Sequence, residues 1–218
     1  MIKSCIFDLD GTLLNSIDTI AYYVNFTFQK YNIPSLTTDF IKEAVGNGAR
    51  DLIRKCLLGS GAYRSDGFFE RVYADYKSAY DAAPTYLTAP YDKIPELIGE
   101  LRSRGILLGV LSNKPHSAVL PIVKHFFGDS FDLVYGGVDG YPLKPDPLRL
   151  LQMTEDFGVS PSEVAYFGDM VSDIKTGKNG GVGITVGVLW GYGGTEALIS
   201  AGADRLVENP MEIEEVLL

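Results

Sequence analysis

The sequence predicts an α/β fold: a doubly wound parallel sheet whose first strand is followed by a long helical insertion. Three observations carry this reading. Beyond residue 84, apolar β-type runs alternate with helical stretches at intervals of about 20 to 30 residues, the spacing of βαβ units. Residues 15–83 read as helix throughout. The chain opens with a short apolar run, residues 2–7, that stops abruptly at two acids, Asp8 and Asp10.

Taken in order, residues 2–7 form the first strand, short and apolar enough to be buried on both faces. Over residues 16–31, Ile17, Ile20, Ala21, Val24, Phe28 and Tyr31 recur at three- and four-residue steps, one face of a helix that ends at Asn32-Ile33-Pro34. Helices follow over 37–44 and 49–58, then a break at Gly59-Ser60-Gly61, then a helix over 67–80 with Asp66 as its expected N-cap. After Pro84 come a helix (92–104), a strand (106–111), a helix (115–127), a strand (131–135) and a helix (147–157). A strand (164–167), a helix (172–179), a strand (183–188), a short strand (205–207) and an acidic terminal helix complete the chain. Right-handed crossovers then give one parallel sheet. The expected division is a core of residues 1–14 and 84–218 and an inserted helical domain of residues 15–83, a place suited to substrate selection.

Composition excludes several classes. A net charge of −9 repels nucleic acid, anionic membrane and phosphorylated molecules at long range, so any anion must be recruited locally. Cys5 and Cys56 form no disulfide or metal pattern and read as small buried thiols, which suits a reducing cytosol. No segment approaches the roughly 18 apolar residues of a membrane span. The expectation is a cytoplasmic monomer or homodimer that is neither a nucleic-acid nor a membrane protein.

In open parallel sheets, ligands bind beyond the carboxyl ends of the strands. There the sequence places Asp8 and Asp10, then Ser112 and Asn113, then Lys144, then Asp169 with Asp173 four residues on. A lone Asp-Gly pair is compatible with a simple Asx turn, but here polar residues stand at four successive strand ends. Three carboxylates at strand ends, a fourth one turn into a helix, and no Cys or His nearby make a hard oxygen site that favours Mg²⁺. Such an ion would offset the repulsion between a carboxylate and a phosphate, with Lys144 and the Ser112 hydroxyl on the phosphoryl oxygens.

These residues carry a resemblance. Asp8-Leu9-Asp10-Gly11-Thr12 resembles the first motif of the haloacid dehalogenase-like superfamily, Leu111-Ser112-Asn113 the second, Lys144-Pro145 the third, and Gly168-Asp169 with Asp173 the fourth. The motifs occur in order over nearly the whole chain, and the helical insertion stands where the family's first type of cap lies. The resemblance implies a Rossmann-like core and a phosphatase working through an aspartyl-phosphate. Asp8 is then the nucleophile and Asp10 the acid and base, with Mg²⁺ on the Asp8 carboxylate, the Asp10 backbone carbonyl and Asp169. Asp173 either reaches the metal through water or orients Lys144. Thr12 either bonds the phosphate or caps the turn.

Val45-Gly46-Asn47-Gly48-Ala49-Arg50 resembles the cap loop of phosphoglycolate phosphatase-like members, which implies Gly46, Arg50 and, from the core, Asn113 as substrate contacts. Arg50 in a helix's first turn suits a small substrate carboxylate; the other reading is a solvated surface residue. A sugar-phosphate mutase or pyrophosphatase would share the core residues. A phospho-aspartate signalling module is disfavoured by chain order, since the acid nearest the third strand's end is Asp139, in a glycine loop. Trp190-Gly191-Tyr192-Gly193-Gly194, after the last long strand, reads as a loop at the same end of the sheet.

Overall fold

The computed structural model describes residues 1–216. The chain divides into two units, residues 1–15 with 90–218 and residues 16–89.

The first unit is built on a six-stranded parallel sheet. Its strands are β1 (Ser4–Phe7), β2 (Leu107–Pro115), β3 (Leu133–Gly137), β4 (Val164–Gly168), β5 (Ile184–Val188) and β6 (Arg205–Val207), in the order β3-β2-β1-β4-β5-β6. The outward path from β1 runs first to β2 and β3 on one side and then, beyond β4, to the other. The loops after β1 and β4 therefore diverge and leave a crevice at the switch point. Register sets the depth of the site: Phe7 lies level with Val110 and Phe167, so Asp8 and Asp169 leave adjacent strands at nearly the same height.

Strand alternation explains how both faces are filled. Phe7 and Phe167 stack at 4.7 Å between ring centroids, and Phe131 meets Phe7 edge-on at 6.4 Å. Their neighbours Ile6 and Tyr166 point to the other face and pack on Leu150 and Met153. All four residues of β1 are buried, which is why its sequence reads as an unbroken apolar run.

The helices are α1 (Ile17–Lys30), α2 (Thr38–Ala44), α3 (Ala49–Gly59), α4 (Asp66–Ala82), α5 (Ile94–Ser103), α6 (His116–Phe127), α7 (Leu148–Phe157), α8 (Val171–Gly180), α9 (Thr195–Ala201) and α10 (Glu212–Val216). The first four make the second unit, whose interior holds Val24, Phe28, Ile53, Leu57, Phe69 and Val72. No helix among the described residues is long and apolar enough to cross a membrane.

Several boundaries differ from the sequence expectation. The chain returns to the core at 89/90 rather than 83/84, because residues 83–88 pack on α1: the Tyr23 hydroxyl donates to the Ala83 carbonyl at 3.1 Å, and Thr19 Oγ1 meets Thr88 Oγ1 at 2.6 Å. Ser65, not Asp66, caps α4: its extended backbone aims Oγ at the Phe68 N–H, 3.2 Å away, and Asp66 is the first helical residue. Strand β2 does not stop at Leu111 but runs to Pro115. Leu111 pairs with Tyr135 and Pro115 with Gly137, so the intervening stretch of β2 bulges against a shorter one of β3. Such bulges re-aim side chains, here Ser112, Asn113 and Lys114. Helix α9 was not expected; it buries only Leu198 and is too short to repeat an apolar face.

Candidate active site

The turn after β1 determines how closely the site can assemble. Three amides, of Thr12, Leu13 and Leu14, converge on the Leu9 carbonyl, and Gly11 sits at a φ of +90°. A Cβ on Gly11 would stand 2.2 Å from Asp169 Oδ2. Glycine is needed both for the turn and for the approach of that carboxylate.

At the crevice, Asp8, Asp169 and Asp173 offer carboxylate oxygens within 4.8 Å of one another. All three are buried, at 6%, 0% and 0% exposure. Lys144 stands among them, its Nζ 2.7 Å from Asp8 Oδ1, 2.6 Å from Asp173 Oδ1 and 3.2 Å from the Leu111 carbonyl. Asp173 is fully engaged, accepting from the Tyr166 hydroxyl at 3.3 Å on the same oxygen and from the Met170 amide at 2.9 Å on the other. It is placed to hold Lys144. The Asn113 amide brackets the Lys144 backbone, accepting from its N–H at 2.8 Å and donating to its carbonyl at 3.2 Å.

Asp10 is set apart from this cluster. Its carboxylate is gripped at both oxygens by Lys114 Nζ, at 2.9 and 2.8 Å, in a pair that is largely buried. Ser112 Oγ accepts from the Lys114 amide at 3.2 Å. The Thr12 hydroxyl, buried, donates to Asp169 Oδ1 at 3.0 Å.

The charges do not balance without help. Lys144 pairs with Asp8 and Asp173, and Asp169 lies beside them; with all three acids ionised, two negative charges would be in surplus in a buried site. Burial pushes the Asp8 carboxyl up and Lys144 draws it back, leaving it at about 7. Burial, then Asp173 and Asp8, hold Asp169 well above the usual carboxylate range. Burial opposes the charge of Lys144, yet Asp173 and Asp8 hold it well above the ordinary lysine value. Hard oxygen donors with a deficit of two positive charges fit a divalent cation.

A pH dependence follows for the metal-free protein. Between about pH 4 and 7 the native Asp8 binds a proton that the unfolded chain releases, so stability is greatest at the acid end and is lost as pH rises. From pH 5.5 to 7 this group is therefore expected to lower the Tm of the metal-free protein. Thermal melts in chelator across that range check the sign, and saturating divalent cation is expected to flatten the slope.

The first unit thus brings together Asp8, Asp10, Thr12, Ser112, Asn113, Lys144, Asp169 and Asp173. Gly46 and Arg50 belong to the helical unit. There Arg50 forms a two-pronged pair with Glu70, one arm at 3.1 Å, and its guanidinium lies 4.8 Å from the Tyr73 ring centroid and 5.1 Å from that of Phe69. Both partners are about half exposed, at 53% each. His116, at the start of α6, accepts from the Gly136 amide through Nδ1 at 3.1 Å.

Lys114 was not among the site residues expected from the sequence. The available signal was strand alternation, which puts residues 112 and 114 on one side once β2 is known to continue. The roles of Tyr166 and of the backbone around Tyr192 had no local signal.

Comparison with known proteins agrees with this geometry. The model of the family described as "Haloacid dehalogenase-like hydrolase" matches residues 5–187. The phosphoglycolate phosphatase of Aquifex aeolicus is 33% identical over 190 residues, covering 86% of this chain and 84% of that protein. The N-acetylmuramic acid 6-phosphate phosphatase of Pseudomonas aeruginosa is 28% identical over 218 residues, covering 99% and 95%. A crystal structure described as a predicted phosphoglycolate phosphatase from Haemophilus somnus superposes with a TM-score of 0.92 at 25% identity, covering 100% of this chain and 98% of that one. With its motifs converged on one crevice of a doubly wound sheet, the chain belongs to the haloacid dehalogenase-like hydrolase family.

Proposed function

We propose that the protein is a Mg²⁺-dependent phosphatase of small phosphate monoesters, working through an aspartyl-phosphate on Asp8, with phosphoglycolate-like substrates favoured. The observation that carries this reading is the division among the acids. Asp8, Asp169 and Asp173 cluster, with Lys144 paired to Asp8 and Asp173, so that ionising all three acids would leave two negative charges over, while Asp10 is paired separately with Lys114.

In the first step an Asp8 oxygen attacks phosphorus, the bond from phosphorus to the ester oxygen breaks, and Asp10 delivers a proton to the departing oxygen. In the second step Asp10 takes a proton from water, whose oxygen attacks the same phosphorus. The bond to Asp8 breaks and inorganic phosphate leaves. Lys144 and Ser112 stand beside the phosphoryl oxygens. Asp8, Asp169 and the Asp10 backbone carbonyl would hold Mg²⁺, which supplies charge neutralisation for the phosphoryl group. Asp173 acts by fixing Lys144.

For the substrate, both curated relatives are named for phosphate esters that also carry an acid group. Arg50, with Gly46 before it, is the group we assign to that carboxylate; in this structure the Glu70 carboxylate occupies its fork. Arg50→Ala is expected to lower kcat/KM for an acidic ester by about 10- to 100-fold, and that for an aryl phosphate by less than about threefold. Steady-state kinetics on the two esters check it, and equal losses remove Arg50 from recognition.

A screen of phosphoglycolate, sugar phosphates, nucleotides, pyrophosphate and an aryl phosphate, with and without Mg²⁺, tests the whole reading. Isomerised sugar phosphate without phosphate release would establish the mutase alternative instead. Preferential cleavage of pyrophosphate would establish the other.

A further inference from the structure

The loop of residues 190–193 has no part in the chemistry above, yet it wraps Asp169. The Tyr192 amide donates to Asp169 Oδ2 at 2.7 Å while Thr12 holds Oδ1 at 3.0 Å, so each carboxylate oxygen has one fixed donor and a lone pair to spare. Trp190 Nε1 donates to the Thr12 carbonyl at 2.9 Å, tying the loop to the first turn.

Glycines line the slot. A Cβ on Gly191 would stand 2.3 Å from Asp169 Cβ, 2.5 Å from its Oδ2 and 2.4 Å from the Gly11 carbonyl. A Cβ on Gly193 would stand 1.9 Å from the Asp169 carbonyl. Gly11 and Gly191 thus both come up against the Asp169 carboxylate at places where a side chain would clash with it. Gly194 is the contrast: it caps α9, and a Cβ there meets nothing within 4 Å.

We propose that residues 190–193 form a positioning strap that fixes the Asp169 carboxylate in the one orientation from which it can bind a divalent cation. The inference rests on the metal reading given above. A carboxylate free to rotate loses orientation each time a cation binds; one held at both oxygens and walled by backbone has already lost it. The strap therefore acts on metal affinity, with Trp190 and Gly191 as positioning residues.

The test is Mn²⁺ and Mg²⁺ binding to the metal-free protein by isothermal titration calorimetry, with aryl phosphate turnover as a function of Mg²⁺ alongside. Gly191→Ala is expected to weaken cation binding by at least tenfold, with kcat restored to within about threefold of the parent at saturating Mg²⁺, a rescue that general misfolding would not allow. Gly194→Ala is expected to bind as the parent does. Trp190→Phe, which keeps a ring but loses the bond to Thr12, is expected to weaken binding about threefold or more, and it carries the test if Gly191→Ala does not fold. Parental cation affinity in Gly191→Ala, or in Trp190→Phe where the first does not fold, overturns the strap alone. Absence of saturable cation binding in the parent overturns the metal reading and the strap with it.

Discussion

Asp8→Asn is expected to lower kcat by at least about 10⁴-fold on every phosphate ester while leaving the fold intact. Asparagine matches the size of aspartate, so β1 keeps its pairing with β2 and β4 and Phe7 keeps its stack on Phe167. On the proposed mechanism what is lost is the attacking oxygen, since an amide has no carboxylate electron pair to offer phosphorus. Lys144 keeps Asp173 as a partner, and one of three crowded acids is gone, so the metal-free variant is expected to melt no lower than the parent at pH 7. Rapid-quench measurement of phosphate release together with thermal melts checks both halves. Substantial cation-dependent phosphate release by this variant would sink the assignment of Asp8 as nucleophile.

The parts legible in the sequence were those where the physical cost is local. An apolar run ending in acid is anomalous wherever it occurs, because the strand's burial and the carboxylate's solvation conflict within a few residues. Asp8 and Asp169 both follow that rule, each directly beyond a fully buried strand. The helical periodicity of residues 16–31 needed nothing beyond itself, and α1 occupies that stretch.

What escaped depended on partners distant in sequence. Ser112-Asn113-Lys114-Pro115 has the composition of a loop, yet β3 pairs with it across a bulge and extends the strand. Lys114 finds Asp10 more than a hundred residues away, and Arg50 finds Glu70 on a different helix. At Ser65-Asp66 both residues are good caps by type, and the choice fell to the backbone angle at Ser65. Gly191 and Gly193 read only as part of a loop in the sequence; in the structure the places their side chains would take are filled by Asp169.

Lys144→Met separates the electrostatic work of the site from its chemistry. Methionine retains most of the volume and none of the charge, so Asp8, Asp169 and Asp173 are left as three buried acids with no cation among them. Removing one partner of a buried ion pair costs about 3 to 5 kcal/mol, because the remaining charges keep their desolvation cost and lose their compensation. That loss is expected in the metal-free protein at pH 7.5, read as a lowered denaturant midpoint. It shrinks as pH falls, since protonation of the raised carboxyls relieves the same repulsion. A divalent cation supplies the missing positive charge directly, so saturating Mg²⁺ is expected to recover a large part of the stability. Activity is not expected to recover with it: on the proposed mechanism Lys144 also faces the developing phosphoryl charge, and kcat is expected to remain down by about 10²- to 10³-fold. Stability rescued by the cation while turnover stays low identifies Lys144 as both counter-ion and phosphate ligand. An equal loss of stability with and without Mg²⁺ would make the lysine a packing element and remove the charge argument for the whole cluster.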